Sequence, residues 1–139
     1  MKIYFSGSIS GGRDFLESYK DIVRHLKING HQVLSEHIVF DNVLDLEKKL
    51  SPEEIYERDI KYLDESDVVI AEVSNPSLGV GYELCYAVEN AIPALCLFQS
   101  GIFVSQMIVG NTSPHLTTSE YKNQTEMYAA IDEFLREQI

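Results

Sequence analysis

Short apolar runs alternate with amphipathic segments along the whole chain. The runs at residues 2–5, 67–73 and 93–98 are rich in aliphatic and β-branched side chains and end in turns, which is typical of buried parallel strands. A shorter run at 32–35 predicts another strand, and a weaker pattern at 115–120 predicts a strand at the edge of the sheet. The pattern therefore predicts five strands separated by helical segments.

Apolar residues recur at helical spacing between these runs. They predict helices at about 13–29, 51–65, 79–90 and 123–135, with a short helix inside 101–110. Strands that alternate with helices at this pace form a parallel sheet covered on both faces. The predicted fold is a single α/β domain of the Rossmann or flavodoxin type, with a five-stranded parallel sheet and helices on both faces.

One helix start is marked more sharply than the others. Ser51, Pro52 and Glu54 have the spacing of a capping box with proline at the first helical position. The segment just before it, up to Leu50, has mixed character. It could form a short amphipathic helix or a mobile lid, and the sequence leaves both open.

Charge and composition narrow the class of partner. The chain has 139 residues and a formal net charge of -11, which argues against binding to nucleic acid or to an anionic membrane. An anionic ligand would have to be bound by local donors such as helix N-termini and hydroxyl groups. The histidines and the two cysteines lack metal-ligand spacing, so neither a metal nor a cofactor is expected. No signal peptide is apparent, and no apolar run approaches the roughly 20 residues of a membrane span, so we expect a cytoplasmic protein.

Two carboxylates lie on apolar helix faces. Glu83 comes three residues after Val80, and Asp59 comes four residues after Ile55. An isolated carboxylate among apolar side chains costs several kcal/mol unless it is paired, protonated or used in chemistry. Two such groups flanking an anomeric carbon could cleave a glycosidic bond, one as nucleophile and the other as an acid that its neighbour keeps protonated, with Tyr4 positioning the nucleophile. Satisfaction of both acids by helix N-terminal N–H groups is the structural alternative.

Small residues fill two predicted strand-to-helix turns. The first strand leads into Ser6–Gly12, and Gly79 and Gly81 open the helix that bears Glu83. Such turns can cradle a phosphate on backbone N–H groups, but tight packing explains them equally well, and neither turn has a dinucleotide or P-loop fingerprint. Both turns and the end of the second strand, at His37, are expected to open onto one cleft at the carboxyl edge of the sheet.

Several strings in the chain match one family of enzymes. They are SGSISGG at 6–12, Glu36-His37, AEVSNPSLGVGYEL at 71–84, LCLF at 95–98 and SQMI at 105–108. Together they resemble the 2′-deoxynucleoside 5′-phosphate N-hydrolases of the nucleoside deoxyribosyltransferase superfamily. The resemblance covers nearly the whole chain and implies a single nucleoside deoxyribosyltransferase-like domain over residues 1–139. The PSLGVGYE string is its most specific part.

The resemblance also implies roles for individual residues. Glu83 matches the nucleophile, Asp59 the acid near the nucleobase, and Tyr4 the tyrosine that supports the nucleophile. The chain departs from the pattern at Ser10, where relatives have arginine. The residues that the resemblance assigns to the substrate and its phosphate are Gly7, Ser8, Ile9, Gly11, Gly12, Arg13, His37, Ser77, Gly79, Ser105 and Met107. Ser105 would come from the second subunit of a homodimer with shared active sites.

The activity that follows from this resemblance is hydrolysis of the N-glycosidic bond of 2′-deoxyribonucleoside 5′-monophosphates through a covalent glycosyl-Glu83 intermediate. The substrate would be a small nucleotide, bound without a cofactor. Three alternatives stay open on the sequence. They are a nucleoside 2-deoxyribosyltransferase that exchanges bases, a ribonucleotide N-glycosidase, and a non-catalytic nucleotide-binding module.

Overall fold

The computed structural model describes residues 1–139 and contains five strands and six α-helices. The strands are β1 (Lys2–Ser6), β2 (Gln32–Val33), β3 (Val68–Glu72), β4 (Ala94–Gln99) and β5 (Leu116–Tyr121). The helices are α1 (Leu16–Ile28), α2 (Val43–Glu47), α3 (Pro52–Glu65), α4 (Leu78–Glu89), α5 (Gln106–Val109) and α6 (Gln124–Glu137), with a 3₁₀ helix at Glu36–Val39. No helix combines the length and the apolar character that crossing a bilayer requires.

The five strands form one parallel sheet in the order β2-β1-β3-β4-β5. The predicted fold class is therefore confirmed. The strand order reverses between β1 and β3, where Ser6 lies beside Ala71 at the carboxyl ends of the two strands. Ligands of open parallel sheets bind at this switch point, because the connections to the two flanking helices diverge there and leave a crevice.

Two apolar cores cover the two faces of the sheet. One packs α1 and α6 against the side chains of Phe5, Ile70 and Leu97. The other packs α3 and α4 against Val69 and Cys96. Because side chains alternate between the faces of a strand, neighbouring residues at a strand end serve different cores. That alternation places Tyr4 in the α3/α4 core and Phe5 in the α1/α6 core.

The predicted helix start at Ser51 is confirmed by both bonds of the capping box. Glu54 N–H donates to Ser51 Oγ over 3.1 Å, and Ser51 N–H donates to Glu54 Oε2 over 2.7 Å. The undecided segment before it contains α2. Helix α1 begins at Leu16, three residues later than predicted, because a turn occupies the start of the expected segment.

The second strand is shorter than predicted because a side chain replaces the backbone ladder. Ser35 Oγ accepts from Phe5 N–H over 2.8 Å and donates to Phe5 C=O over 2.6 Å. With both backbone groups of Phe5 satisfied by one hydroxyl, the strand needs no further pairing, and the chain turns into the 3₁₀ helix.

Candidate active site

Glu83 lies in the second turn of α4 and points back to the carboxyl end of β1. Tyr4 OH donates to Oε1 of Glu83 over 3.0 Å, and Ser6 Oγ donates to Oε2 over 2.5 Å. Tyr4 and Ser6 are two positions apart on β1, so their side chains leave the same face of the strand. Ser6 was not among the predicted site residues, although its two-residue spacing from Tyr4 could have indicated it.

The surroundings of Glu83 bring the pKa of its carboxyl group close to neutral pH. Burial raises the pKa of Glu83 to about 7, against the opposing effect of the hydrogen bonds from Ser6 and Tyr4. Burial and the charge of Glu83 raise the pKa of Tyr4 well above its ordinary value, so the phenol keeps its proton and remains a donor. Tyr4 and Ser6 therefore hold the side chain of Glu83 in position whether its carboxyl group is protonated or ionised.

Asp59 lies beside the guanidinium of Arg58. Arg58 Nε donates to Asp59 Oδ1 over 2.8 Å, and Arg58 Nη2 donates to Glu47 Oε1 over 2.9 Å. Burial opposes the charge of Arg58, but its bonds to Asp59 and Glu47 raise its pKa above the ordinary value, so the guanidinium stays charged. Neither Arg58 nor Glu47 was predicted, since both have the spacing of ordinary surface charges.

His37 joins this charged group rather than the glycine loop. Its Nε2 lies 3.8 Å from Glu47 Oε1, and its ring lies 6.4 Å from the ring of Tyr62. Burial, followed by the charge of Arg58, lowers the pKa of His37. We therefore expect a neutral imidazole at pH 7 on the Asp59 side of the site.

Both candidate catalytic carboxyl groups line one cavity between α3 and α4. Its volume is about 380 Å³. Gly79 forms part of the wall, so the backbone at the start of α4 is accessible from this cavity. The rings of Tyr56 and Tyr82, 6.3 Å apart and nearly edge-on, stand at its exposed side. A small ligand could thus contact Glu83 and Asp59 together.

Several of the predicted phosphate-binding residues line a second, larger cavity of about 680 Å³. Gly11, Ser77, Ser105 and Met107 belong to it. The first turns of α4 lie between the two cavities. Gly79 faces the smaller cavity and Gly81 the larger one. The two cavities share this helix wall and no lining residue.

Close contacts or backbone conformation favour glycine at three positions of the first loop. A Cβ at Gly7 would lie 3.0 Å from the ring of Tyr19, and a Cβ at Gly11 would lie 2.5 Å from the carbonyl oxygen of Pro76. Gly12 has a φ of +126°, which disfavours other residues. The loop is thus pressed against the turn that precedes α4. Within it, Ser8 Oγ is buried without any hydrogen-bond partner in the protein.

Arg13 fastens this loop to the neighbouring segment. Its Nη1 donates to Ser8 C=O over 2.9 Å, and its Nη2 donates to Ile38 C=O over 2.6 Å. The guanidinium also lies 5.9 Å from the centre of the Tyr19 ring. Ile9 packs against the α1/α6 core. Arg13 and Ile9 thus stabilise the conformation of the loop.

The remaining predicted residues lie at the ends of helices. Ser77 caps α4, its hydroxyl accepting from Val80 N–H over 3.3 Å. Ser105 precedes α5 and its side chain makes no capping bond. Met107 is 83% exposed, and the nearby Phe103 and Leu78 are 86% and 97% exposed. All three side chains line the larger cavity.

Comparison with known proteins places this arrangement in a family. The family model for nucleoside 2-deoxyribosyltransferases matches residues 3–112. The chain belongs to this family. A protein of Methanococcoides burtonii, provisionally named 2′-deoxynucleoside 5′-phosphate N-hydrolase 1, is 47% identical over 112 residues, covering 81% of this chain and 92% of that protein. The 5-hydroxymethyl-dUMP N-hydrolase of Danio rerio is 43% identical over 138 residues, covering 96% of this chain and 95% of that protein.

Solved structures with the same fold are more distant in sequence. A Clostridium botulinum CMP N-glycosidase superposes with a TM-score of 0.72 at 19% identity, covering 96% of this chain and 99% of its own. A 2-deoxyribosyltransferase of Bacillus psychrosaccharolyticus gives 0.66 at 16% identity, covering 92% and 90%. The fold is shared with both. The predicted family is confirmed, and so is the prediction of an enzyme with N-glycosidase activity, since relatives spanning most of the chain are N-hydrolases.

Proposed function

We propose that this chain hydrolyses the N-glycosidic bond of 2′-deoxyribonucleoside 5′-monophosphates, releasing the free base and 2-deoxyribose 5-phosphate. One observation supports this most strongly. The carboxyl group of Glu83 is oriented by Tyr4 and Ser6 and shares a cavity with Asp59. A fixed carboxylate beside a second carboxylate is the arrangement that glycoside cleavage with a covalent intermediate requires. The relatives named as N-hydrolases act on substrates of this class by name.

The proposed reaction has two displacements at C1′ of the sugar. In the first, ionised Glu83 forms an ester bond to C1′ while the C1′–N bond breaks, and Asp59 relays a proton from solvent to the leaving base. In the second, the water oxygen bonds to C1′ while the bond from C1′ to Glu83 breaks, Glu83 leaves as a carboxylate, and Asp59 accepts the water's proton and passes it back to solvent. The overall change adds one water across the C1′–N bond. Tyr4 and Ser6 donate to Glu83 throughout and orient its attack.

The phosphate would be bound by neutral donors at the adjoining loops. Ser8 Oγ has no partner within the protein, and Ser77 and Gly11 line the larger cavity near the start of α4. The backbone N–H groups of a helix start favour an anion, which matters in a chain of net charge -11. Arg13 would contribute its charge from behind the loop. The cytoplasmic location expected from the sequence stays a prediction.

A homodimer would complete the site. The exposed side chains of Leu78, Phe103 and Met107 surround the larger cavity, and Ser105 has a free hydroxyl among them. We propose that two chains pack through this surface and that each gives Ser105 to its partner's phosphate site. Sedimentation of wild type and a Phe103→Asp variant should show a dimer and a monomer, respectively. A monomeric wild type with full activity would contradict this part.

Base release tests the proposed function. dGMP, deoxyguanosine and GMP are incubated with wild type and with Glu83→Gln, and the free base is measured by chromatography. We expect wild type to cleave dGMP and to act on deoxyguanosine and GMP far more slowly. The Glu83→Gln variant should not cleave dGMP. Glu133→Gln, which changes an exposed carboxylate on α6, is the matched control and should keep full activity.

Each other result identifies an alternative. Cleavage of GMP at the rate of dGMP would indicate a ribonucleotide N-glycosidase. Exchange of guanine for an added adenine on deoxyguanosine would indicate a deoxyribosyltransferase. If dGMP stabilises the protein against heat but is never cleaved, the chain is a binding module and the proposed hydrolysis is wrong.

A further inference from the structure

A fully buried glutamate, Glu72, lies at the end of β3 and takes no part in the proposed reaction. Its side chain is 0% exposed. Its Oε1 accepts from the hydroxyl of Ser74, from Ser74 N–H over 3.3 Å and from Tyr121 OH over 3.3 Å. Its Oε2 is buried without any partner. Such a group is expensive to keep charged, and burial raises the pKa of Glu72 to about 7.

Glu72 bonds the turn that precedes α4, and this turn in turn contacts the glycine loop. Ser74, which donates to it, begins the turn that precedes α4 and lines the larger cavity. In the same turn, Asn75 Nδ2 donates to Gly11 C=O over 3.3 Å. This turn ends at Ser77, the cap of α4. Glu72 thus lies directly behind the contact between the turn and the glycine loop.

The groups around Glu72 offer it no positive charge. Tyr121 approaches from β5, and Tyr19 approaches from α1, where its hydroxyl accepts from Ser8 N–H over 3.1 Å. Beyond Tyr19 lie Arg13 and Asp14, which affect the pKa of Tyr19 in opposite directions. No ion pair involves Glu72, and the nearest side of α6 is apolar. A charge on Glu72 is therefore uncompensated and acts on the loops in front of it.

We propose that Glu72 is a positioning residue for the two phosphate-binding loops and that its protonation controls the affinity for phosphorylated substrates. When Glu72 is neutral, it orders the turn through Ser74 without opposing an anion. When it is ionised, its charge repels the phosphate through a region of low dielectric constant. This inference rests on the proposed function for the identity of the anion, and it predicts that phosphate binding weakens as the pH rises through neutrality.

Binding measured in the absence of turnover tests this inference. Titration calorimetry with dGMP compares Glu83→Gln with Glu72→Gln/Glu83→Gln at pH 6 and pH 8, so that the titration of Glu83 cannot contribute. At pH 8 the double variant should bind dGMP about fivefold more tightly. At pH 6 the two variants should agree within about twofold, because Glu72 is then protonated in the single variant.

Deoxyguanosine is the matched control, because it lacks only the phosphate. Its affinity should be the same in both variants at both pH values. Equal dGMP affinities at pH 8, or a change that deoxyguanosine shares, would overturn the inference and leave Glu72 a purely structural residue. A Tyr121→Phe change in the Glu83→Gln background gives an independent check. It removes a donor that favours the ionised form, so it should tighten dGMP binding at pH 8 in the same direction but less.

Failure of the proposed function has a different signature. If folded Glu83→Gln binds neither dGMP nor deoxyguanosine, the substrate class is wrong, and inorganic phosphate becomes the probe. Thermal stabilisation by phosphate at pH 8 should then be larger with Glu72→Gln than with Glu72. Comparing variants at the same pH removes the titration of phosphate itself. Equal stabilisation would overturn the inference independently of any substrate.

Discussion

Glu83, which is half-buried, and Glu72, which is fully buried, have nearly the same immediate partners and different surroundings. Each accepts from one serine hydroxyl and one tyrosine hydroxyl, and burial raises the pKa of each to about 7. Glu83 lines a cavity and lies near Arg58, whereas Glu72 has no cavity and no cation. A raised pKa and a pair of hydroxyl donors therefore do not identify a nucleophile. Access for a substrate distinguishes the two.

The largest expected difference is in turnover. Glu83→Gln should lower kcat for dGMP by about three orders of magnitude or more, because the amide cannot form the glycosyl ester. Glu72→Gln should leave kcat within about threefold, since Glu72 does not reach the sugar. Steady-state base release at pH 7.5 measures both, and circular dichroism confirms the folds. Comparable losses in the two variants would remove the distinction between the glutamates.

Ionisation of Glu72 should lower the stability of the fold at alkaline pH. The pKa of Glu72 is raised from 4.5 to about 7 on folding, so the native state binds more protons than the unfolded state between these values, and stability falls as the pH rises through them. The lost contribution is about 3 kcal/mol at pH 8 and zero at pH 4. Glu72→Gln should recover a large part of it, measured as the free energy of unfolding in urea. A variant that is equally destabilised at both pH values would show that the charge of Glu72 costs nothing.

Arg58 lies near Glu83, whereas no cation lies near Glu72. Arg58→Gln should lower kcat about tenfold, because Asp59 loses the ion pair that orients it. If Arg58 acts through Asp59, the same change should have less than about a twofold effect in an Asp59→Asn background. Kinetics of the two single variants and the double variant complete this cycle. Additive losses would mean that Arg58 acts on the substrate or the fold directly.

Tyr4 gives the smallest and most specific effect. Because ionised Glu83 is the reactive form, kcat should rise with pH through about 7. Tyr4→Phe removes a donor that stabilises this form, so the midpoint of the rise should move upward by about half a pH unit to one unit. Tyr121→Phe makes the same chemical change beside Glu72 and should leave the midpoint of kcat in place. A shift in both variants would indicate a general effect on the electrostatics of the sheet.

The fold was predictable because its signals are local and repeated. The capping box at Ser51 and the apolar runs of β3 and β4 come from short-range patterns, and the parallel order follows from their alternation with helices. The boundaries of β2 were not predictable, because they depend on a bond between Ser35 and Phe5, 30 residues apart in sequence.

Residues of the candidate site were predictable only where a polar residue occupies an apolar position of the hydrophobic pattern. Glu83 was found because a carboxylate on an apolar stripe demands an explanation. Arg58 and Glu47 escaped, because charged residues on an amphipathic helix conform to the pattern, and their pairing depends on tertiary structure. Glu72 is a carboxylate in an otherwise apolar strand, just as Glu83 is a carboxylate on an apolar helix face. It lies at the strand end, however, where a polar residue is ordinary. Burial by β5 and α1 could not be inferred from its neighbours in sequence.

The anomeric configuration of the product formed when methanol replaces water as the acceptor tests the proposed role of Glu83 most directly. Wild type acts on dGMP in a mixture of water and methanol, and NMR assigns the anomeric configuration of the methyl 2-deoxyribofuranoside 5-phosphate before it equilibrates. Two displacements through a Glu83 ester invert C1′ twice, so the β-methyl glycoside is expected, in the configuration of the substrate. An α-methyl glycoside would mean that solvent attacks C1′ directly, and Glu83 would then not be the nucleophile.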